Sequence, residues 1–276
     1  MNWYGTDGAY TVAPETCARN VAAGSVDAPL CNWHDLQDAG LVADRAAYLA
    51  AVRRTAVYLA ETGIAEALSA KDTALMQMVR TLDELDHVIN LMTERVSEWH
   101  QATTVDSSRK YHRATPEKML AGLAKTGSGS LKPVAREILS MTAVRTRLMK
   151  DVSAEALQVI PNMSALVGGL VAARLVSRAG GLTAISRMPG SSIQVLGAES
   201  ALFAHIRTGS PSPKHGLLFQ HRRVHNAPKD VRGKVSRQIA AKLAAASRID
   251  LFRGELDREF IDVANARIDA LMEEAK

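Results

Sequence analysis

The chain has 276 residues, enough for one large domain or two modest ones. Hydrophobic residues make up 47% of it and aromatic residues only 4%, so Ala, Leu, Val and Met must form most of the core. Long side chains without bulky rings suit helix-on-helix packing, and we therefore expect a mainly α protein. No stretch approaches the ~20 uninterrupted apolar residues of a membrane span. Cys17 and Cys31 are the only cysteines, and MNWYGTDGAY at the N-terminus has no signal-peptide pattern, so we expect a cytoplasmic protein without a disulfide framework.

The charge of the chain is unevenly distributed along the sequence. The net charge is +5, but residues 201–253 contain eleven Lys and Arg against two Asp and Glu, so this basic segment has a net charge of +9 and the rest has −4. A basic region on a neutral-to-acidic body is typical of a protein that binds a polyanion. The alternative is a solvated basic face on a coiled-coil adaptor.

The first predicted element in chain order is an N-terminal module. Residues 1–40 are rich in Gly, Pro, Asp and Asn and show no strong periodicity, which leaves open a few short strands, and so an α/β module, or a small appended module of another kind. Residues 41–68 are Ala-rich and predict a helix.

A long heptad pattern follows, and it predicts an antiparallel coiled-coil hairpin. The first helix starts at Asp72, and its apolar positions are spaced alternately by three and four residues, at Leu75, Met78, Leu82, Leu85, Ile89, Met92, Val96 and Trp99. Residues 101–130 read as a polar connector. The second helix has its seam at Leu131, Val134, Ile138, Met141, Leu148 and Val152, with Arg145 within it. Ordinary bundle helices are the alternative. A second apolar edge on such a hairpin favours self-association.

The remainder, from Ala154 on, predicts short helices because Pro and Gly interrupt it often. Longer helices are expected at 234–249 and 255–274. The sequence has no GxxxxGKS/T loop, no GxGxxG motif, no HExxH motif and no CxxC pair. Four histidines are irregularly spaced, which argues against a metal site: His205, His215, His221 and His225. With no catalytic constellation, we expect a binding protein and not an enzyme.

Three long motifs carry a family resemblance: MVRTLDELDHVINLMTERVSEWH (78–100), VIPNMSALVGGLVAARLVSRAGGLTAISRMPGSSIQVLGAESALFAHI (159–206) and PSPKHGLLFQHRRVHNAPKDVRGKVSRQIAAKLAAASRID (211–250). The second and third closely resemble the Nop domain, and the first resembles the first coiled-coil helix of the Nop-domain scaffold in archaeal box C/D ribonucleoproteins. The resemblance covers about residues 65–275. It implies a coiled-coil hairpin at 69–156, an all-helical Nop domain at 157–276 and a short N-terminal module at 1–68.

The resemblance also implies partners and a function. In this family the Nop domain binds a kink-turn of the guide RNA together with the small ribosomal-type protein already on it, and the coiled coil joins two copies. The N-terminal domain holds fibrillarin, the methyltransferase that uses S-adenosylmethionine for 2′-O-methylation of RNA. No cofactor would then belong to this chain itself. A splicing-type Nop protein, which has no methyltransferase, is the alternative.

Site residues follow from the motifs of the family. A GAEK-type turn corresponds to Gly197, Ala198, Glu199 and Ser200, a PKYG-type loop includes Lys214 and His215, and an RGKxxR-type stretch includes Arg232, Lys234 and Arg237. Arg223 belongs to the same predicted RNA and protein surface. The predicted dimerisation residues of the coiled coil are Leu82, Leu85, Ile89, Met92, Val96, Ile138, Met141 and Leu148.

The chain departs from the family pattern at several of these positions. Ser200 stands where the family usually has Lys, and Ala204 where it often has Arg, so two cations are missing at the turn. His215 replaces a Tyr. The N-terminal module is also shorter than the family's usual N-terminal domain, which makes binding of fibrillarin an open question at this point.

Overall fold

A computed structural model describes residues 3–4, 10–23, 33–103 and 115–273. Contacts divide the chain into two compact units, Met1–Ala70 and Lys71–Lys276. Every regular element in the described ranges is helical, so the mainly α fold is confirmed and the α/β option for the N-terminal module is wrong there. None of these helices is long and apolar enough to cross a membrane.

The N-terminal unit is a small helical module. It contains α1 (Pro14–Ala22), α2 (Trp33–Asp38) and α3 (Arg45–Ser69). Asp44 ends the preceding loop and caps α3, since its carboxylate accepts a hydrogen bond from the Ala47 N–H at 2.7 Å. The core is formed by side chains from all three helices and from residues before and between them: Trp3, Tyr4, Cys17, Leu36, Val42 and Ala51. Cys17 is a free, buried thiol, and Cys31 lies outside the described residues.

The second unit begins with the predicted hairpin. Its long helices are α4 (Lys71–Thr103) and α6 (Leu131–Val159), with α5 (Pro116–Thr126) between them. The expectation of a polar connector is therefore wrong for residues 116–126, while 104–114 lie outside the described residues. Leu120 and Leu123 of α5 are buried against Val96 and Ile138, because a helix at the tip covers apolar surface that two helices alone would leave exposed.

The heptad seam packs α4 against α6 within one chain. Leu82, Val96 and Ile138 are buried, and the other predicted seam residues named for dimerisation are half-buried: Leu85, Ile89, Met92, Met141 and Leu148. Val79 is buried although it lies outside the predicted seam, while Trp99, a seam residue, is 42% exposed. The apolar stripe widens near the start of α4, since there the helix also contacts α8.

The remainder of the second unit consists of short helices around one long one. The central helix is α13 (Arg232–Phe252), which packs against α7, α9, α10 and α14. The other elements are α7 (Pro161–Val167), α8 (Gly169–Ala179), α9 (Leu182–Arg187), α10 (Gly190–Val195), α11 (Glu199–Thr208), a 3₁₀ helix (Leu217–Gln220), α12 (Arg222–His225) and α14 (Arg258–Glu273).

One core joins the base of the hairpin to these helices. Leu75 and Leu82 of α4 and Val152 of α6 belong to the same buried cluster as Leu175 and Ile239. Asp72 adds a polar connection, because its carboxylate accepts a hydrogen bond from the Leu182 N–H at 2.5 Å, at the start of α9. The predicted hairpin and the predicted Nop domain therefore share a core within the compact unit Lys71–Lys276.

Candidate nucleic-acid interface

The loop at residues 213–217 brings together three motifs that are far apart in sequence. The Leu217 N–H donates to the Leu196 carbonyl at 2.8 Å, and the Gly216 N–H donates to the Gln194 carbonyl at 2.9 Å. Gly216 approaches the backbone so closely that a Cβ there would lie 2.0 Å from the Leu196 carbonyl oxygen. Only glycine fits at this position, and the loop is thereby fixed beside the 197–200 turn.

The other end of this loop lies on the start of α13. A Cβ placed on Gly233 would be 3.7 Å from the side chain of Lys214, so the aliphatic part of Lys214 covers this glycine. Gln194 is 8% exposed, and its side-chain amide donates to the Lys214 carbonyl at 2.8 Å. The Lys214 ammonium donates to the Lys229 carbonyl at 3.1 Å. These bonds hold two lysines next to the N-terminus of α13.

The N-terminus of α13 is arranged to attract an anion. Its N-cap residue, Val231, offers no side-chain cap, and the first turn contains no acidic residue. Instead it holds Arg232 and Lys234, followed one turn later by Arg237; Lys234 and Arg237 are exposed. The Arg232 and Lys234 N–H groups already donate to the Pro228 and Val231 carbonyls at 2.8 Å, so an anion at this end of α13 would be attracted mainly by the positively charged side chains. This end of α13 therefore suits a phosphate group.

His215 and Arg232 flank the ring of Phe219. The imidazole of His215 stacks on the ring, with centroids 4.6 Å apart and 17° between the planes, and the Arg232 guanidinium lies 5.1 Å from the Phe219 centroid. Burial lowers the pKa of His215, and the positive charges of Arg232 and Lys214 lower it further. His215 is consequently neutral at pH 7. It contributes a planar surface and a hydrogen-bonding nitrogen, but no charge.

The histidines take different roles. Burial lowers the pKa of His221, with contributions from Arg223 and Arg222, and the His225 ring lies 4.9 Å from that of Phe219. The His205 ring nitrogen Nδ1 contacts the Ser210 carbonyl. Over the described ranges, no three His, Cys, Asp or Glu side chains come together as a potential metal site.

The turn at residues 197–200 is held by an ion pair. Gly197 has a φ of +86°, and a Cβ there would lie 2.6 Å from Leu217 Cγ. The Gly197 N–H donates to Glu199 Oε1 at 2.9 Å. Arg178 of α8 donates to the same carboxylate through Nε at 3.1 Å and Nη2 at 2.8 Å. The bonds from Arg178 lower the pKa of Glu199 to about 2, so Glu199 is ionised at neutral pH and orients the turn.

The helix that follows this turn projects from the domain. None of the ten residues of α11 is buried, and Phe203 and Ile206 are 62% and 69% exposed. They are three residues apart and thus lie on the same side of the helix. An exposed apolar face beside a basic surface is typical of a protein contact.

One predicted site residue, Arg223, is bound to a neighbouring helix, and the sequence missed Arg178. Arg223 donates to Asn265 Oδ1 at 2.6 Å and to Asp269 Oδ2 at 2.9 Å, so its guanidinium is bound to α14. Arg178, by contrast, is part of the turn although it is 21 residues from Glu199 in sequence. The only signal in the sequence is its position one helical turn after Arg174, which is too general to identify it.

A cleft of about 620 Å³ lies between α4, α8 and the turn. Arg174 crosses it, since Nη2 lies 2.9 Å from Asp83 Oδ1 and Nη1 donates to Gln220 Oε1 at 2.8 Å. The lining residues are Arg80, Asp83, Glu84, Arg174, Ser177, Arg178, Gly197 and Leu217. Charged side chains of the hairpin, of α8 and of the turn therefore line one common cleft.

Comparison with known proteins identifies relatives of this chain. A family model named Nop, with the description "snoRNA binding domain, fibrillarin", matches residues 75–270. An uncharacterized NOP5 family protein of Methanocaldococcus jannaschii is 30% identical over 237 residues, which cover 73% of this chain and 57% of that protein. Nucleolar protein 58 of Scheffersomyces stipitis is 32% identical over 222 residues, which cover 67% of this chain and 43% of that protein. The chain thus spans about half the length of these curated relatives.

A solved structure is also similar over nearly the whole chain. The match is to a chain in the crystal structure of a fibrillarin/Nop5p complex, with a TM-score of 0.56 and 28% sequence identity. It covers 98% of this chain and 98% of that chain.

Proposed function

This chain belongs to the Nop family, and we propose that it is the scaffold of a box C/D guide ribonucleoprotein and not itself an enzyme. In this proposal it binds a kink-turn RNA that already holds a small ribosomal-type protein, and it positions fibrillarin for guide-directed 2′-O-methylation. The observation that supports it most directly is the convergence of the 197–200 turn, the 213–217 loop and the start of α13 on one surface.

The RNA-binding part of this surface is the loop and the start of α13. Lys214, Lys229, Lys234 and Arg237 are exposed and meet at a helix N-terminus that has no acidic residue in its first turn. Such side chains bind phosphates regardless of sequence and release counterions. His215, stacked on Phe219, adds a flat surface for a sugar or base. This combination suits recognition of the shape of a folded RNA.

The protein-binding part of the surface is α11. Phe203 and Ile206 are exposed directly after the turn, so a small protein bound beside the RNA would cover apolar area while the RNA contacts the cations. Each of the two contacts is small, and we expect the RNA and the protein to bind well only together.

The test is a gel shift with kink-turn RNA, with and without the small partner protein. We expect tight binding only when both are present, and weaker binding for Lys214→Glu and Arg237→Glu. Arg147→Glu is the matched control, because Arg147 is 87% exposed on the hairpin helix α6. Equal binding of the wild type to any duplex, with or without the partner protein, would contradict the proposal.

Fibrillarin would bind the N-terminal unit, and S-adenosylmethionine would belong to that partner. The similarity to a Nop5p chain in a fibrillarin complex, at 98% coverage, supports this assignment. A pull-down with the full chain and with residues 71–276 tests it, with circular dichroism to check that the shorter chain is folded. Fibrillarin should be retained only by the full chain. Failure of both chains to retain fibrillarin would favour the splicing-type assembly instead.

A homodimer through the hairpin completes the proposed assembly. Since Leu82, Val96 and Ile138 are buried within one chain, the contact between copies would involve the outer face of α4. Val88 and Leu91 are 40% and 44% exposed and, three residues apart, share that face. Light scattering should give a dimer for the wild type and a monomer for Leu91→Glu. A monomeric wild type at micromolar concentration would exclude this dimer.

A further inference from the structure

Arg178 has hydrogen-bonding capacity that its ion pair does not use. A guanidinium has five N–H donors, and only Nε and one N–H of Nη2 are bound to Glu199. No further acceptor for Arg178 is found among residues 3–4, 10–23, 33–103 and 115–273. The side chain is also 56% exposed. Glu199 therefore orients the guanidinium, and three N–H groups, both of Nη1 and the second of Nη2, remain available to a ligand.

We propose that Arg178 is a phosphate-binding residue of the RNA surface and supplies the cation that Ser200 leaves out of the turn. This inference rests on the proposed function. Arg178 belongs to α8, but it lies at the turn because it holds Glu199 and lines the same cleft as Gly197. Its cation thus comes from a helix 21 residues earlier in the chain.

The neighbouring arginine cannot take this role. Arg174, one helical turn earlier, uses Nε and Nη2 on Asp83, Nη2 on Asp86 and Nη1 on Gln220. Its side chain is only 15% exposed. All three nitrogens are engaged, so Arg174 connects α8 to α4 and to the 3₁₀ helix. Arg174 and Arg178 have the same side chain. Their hydrogen-bond partners make Arg174 a structural residue and leave Arg178 able to bind a ligand.

The ligand that fits the unused side of Arg178 is an RNA backbone phosphate. One N–H of Nη1 and the second N–H of Nη2 are parallel and match two phosphate oxygens, and an arginine held by a carboxylate loses little conformational entropy on binding. Arg80 lines the same cleft, is exposed and can contribute a second positive charge. The cleft contains two acidic residues, Asp83 and Glu84. The charge of Asp83 is already balanced by its ion pair with Arg174.

The salt dependence of RNA binding tests the proposal, using the full chain, a kink-turn RNA and the small partner protein. Each phosphate contact contributes about one unit to the slope of log affinity against log salt. Arg178→Gln should lower that slope by about one and weaken binding several-fold at low salt. Glu199→Gln removes the ion pair but keeps the cation, and it should keep the slope whatever it does to affinity.

A rescue variant and a matched control make the test specific. Ser200→Lys in the Arg178→Gln protein should restore the slope, because it returns a cation to the turn. Arg95→Gln should leave the slope unchanged, although it also breaks an exposed Arg–Glu pair, with Arg95 2.8 Å from Glu98 on the hairpin. A thermal melt of each variant checks that it is folded.

Two outcomes would overturn the proposal. If Arg178→Gln and Glu199→Gln weaken binding equally with an unchanged slope, Arg178 only positions the turn. If Arg178→Gln weakens binding of the small protein without RNA and leaves the slope unchanged, Arg178 contacts protein and not phosphate. The proposed function fails separately, when the wild type itself shows no preference for the kink-turn complex.

Discussion

Asp250 accepts hydrogen bonds from both the backbone N–H and the side-chain amide of Asn162, at 2.9 and 2.7 Å, although the two residues are 88 positions apart. Its second oxygen accepts from the Met163 N–H at 2.9 Å. Asn162 also donates to the Glu255 carbonyl and accepts from the Asp257 N–H. This pair therefore caps α7 and joins it to the end of α13 and to the segment that leads into α14.

Asp250→Asn should destabilise the second unit by about 2–4 kcal/mol. The residue is 4% exposed, and an amide in place of the carboxylate would direct an NH₂ group at one of the N–H groups that Asp250 now accepts from. Chemical denaturation measures the loss. Asp262→Asn, at an exposed position of α14, is the control, and an equal loss of stability there would contradict the capping role of Asp250.

The Arg178–Glu199 pair should make stability depend on pH in the acidic range. The pKa of Glu199 is lowered from 4.5 to about 2 in the folded protein, so its stabilising contribution is complete above about pH 4.5 and is lost as the pH falls towards 2. Unfolding free energies of the wild type and Glu199→Gln, measured from pH 6 down to pH 2.5, should converge. A difference that stays constant with pH would contradict this prediction.

Gly216→Ala should damage both folding and RNA binding. The added Cβ would lie 2.0 Å from the Leu196 carbonyl oxygen, which is backbone and cannot move aside easily. We expect a loss of about 2–4 kcal/mol in unfolding free energy and weaker binding, because the loop would move away from the turn. Gly233→Ala is the control for folding, since its Cβ would make only ordinary contacts at 3.7 Å with Lys214.

The ion pair between Asp86 and Arg145 within the seam should be worth more than an exposed one. Arg145 Nε lies 2.6 Å from Asp86 Oδ1, with both side chains about one third exposed, and Arg174 Nη2 lies 3.4 Å from Asp86 Oδ2. Asp86→Ala leaves two arginines without this partner, and we expect a loss of about 1–3 kcal/mol. Asp151→Ala, which breaks an exposed pair with Arg147 at 4.0 Å, should cost less than about 0.5 kcal/mol.

Two parts of the sequence predicted their helices closely. The helix at 41–68, expected from Ala-rich composition, became Arg45–Ser69, and the helix at 234–249, expected from its apolar face, became Arg232–Phe252. Residues 116–126 were not predicted as a helix, since Pro116 and the following glycines suggested a connector. The burial of Leu120 and Leu123 depends on contacts with α4 and α6, which local sequence does not reveal.

The sequence by itself determined the helical class, the hairpin and the motifs of the binding surface, because periodicity, charge and motif spacing are local properties of the chain. Only the tertiary structure decided which charged residues are available to a ligand. The sequence does not distinguish Arg174, Arg178 and Arg223. Acceptors distant in sequence engage all three nitrogens of Arg174 and both terminal nitrogens of Arg223, whose side chain is 27% exposed. They leave Nη1 of Arg178, whose side chain is 56% exposed, without an acceptor in the described part of the chain. The physical reason is that hydrogen-bond capacity is used up by three-dimensional neighbours, and these are set by the packing of α4, α8 and α14.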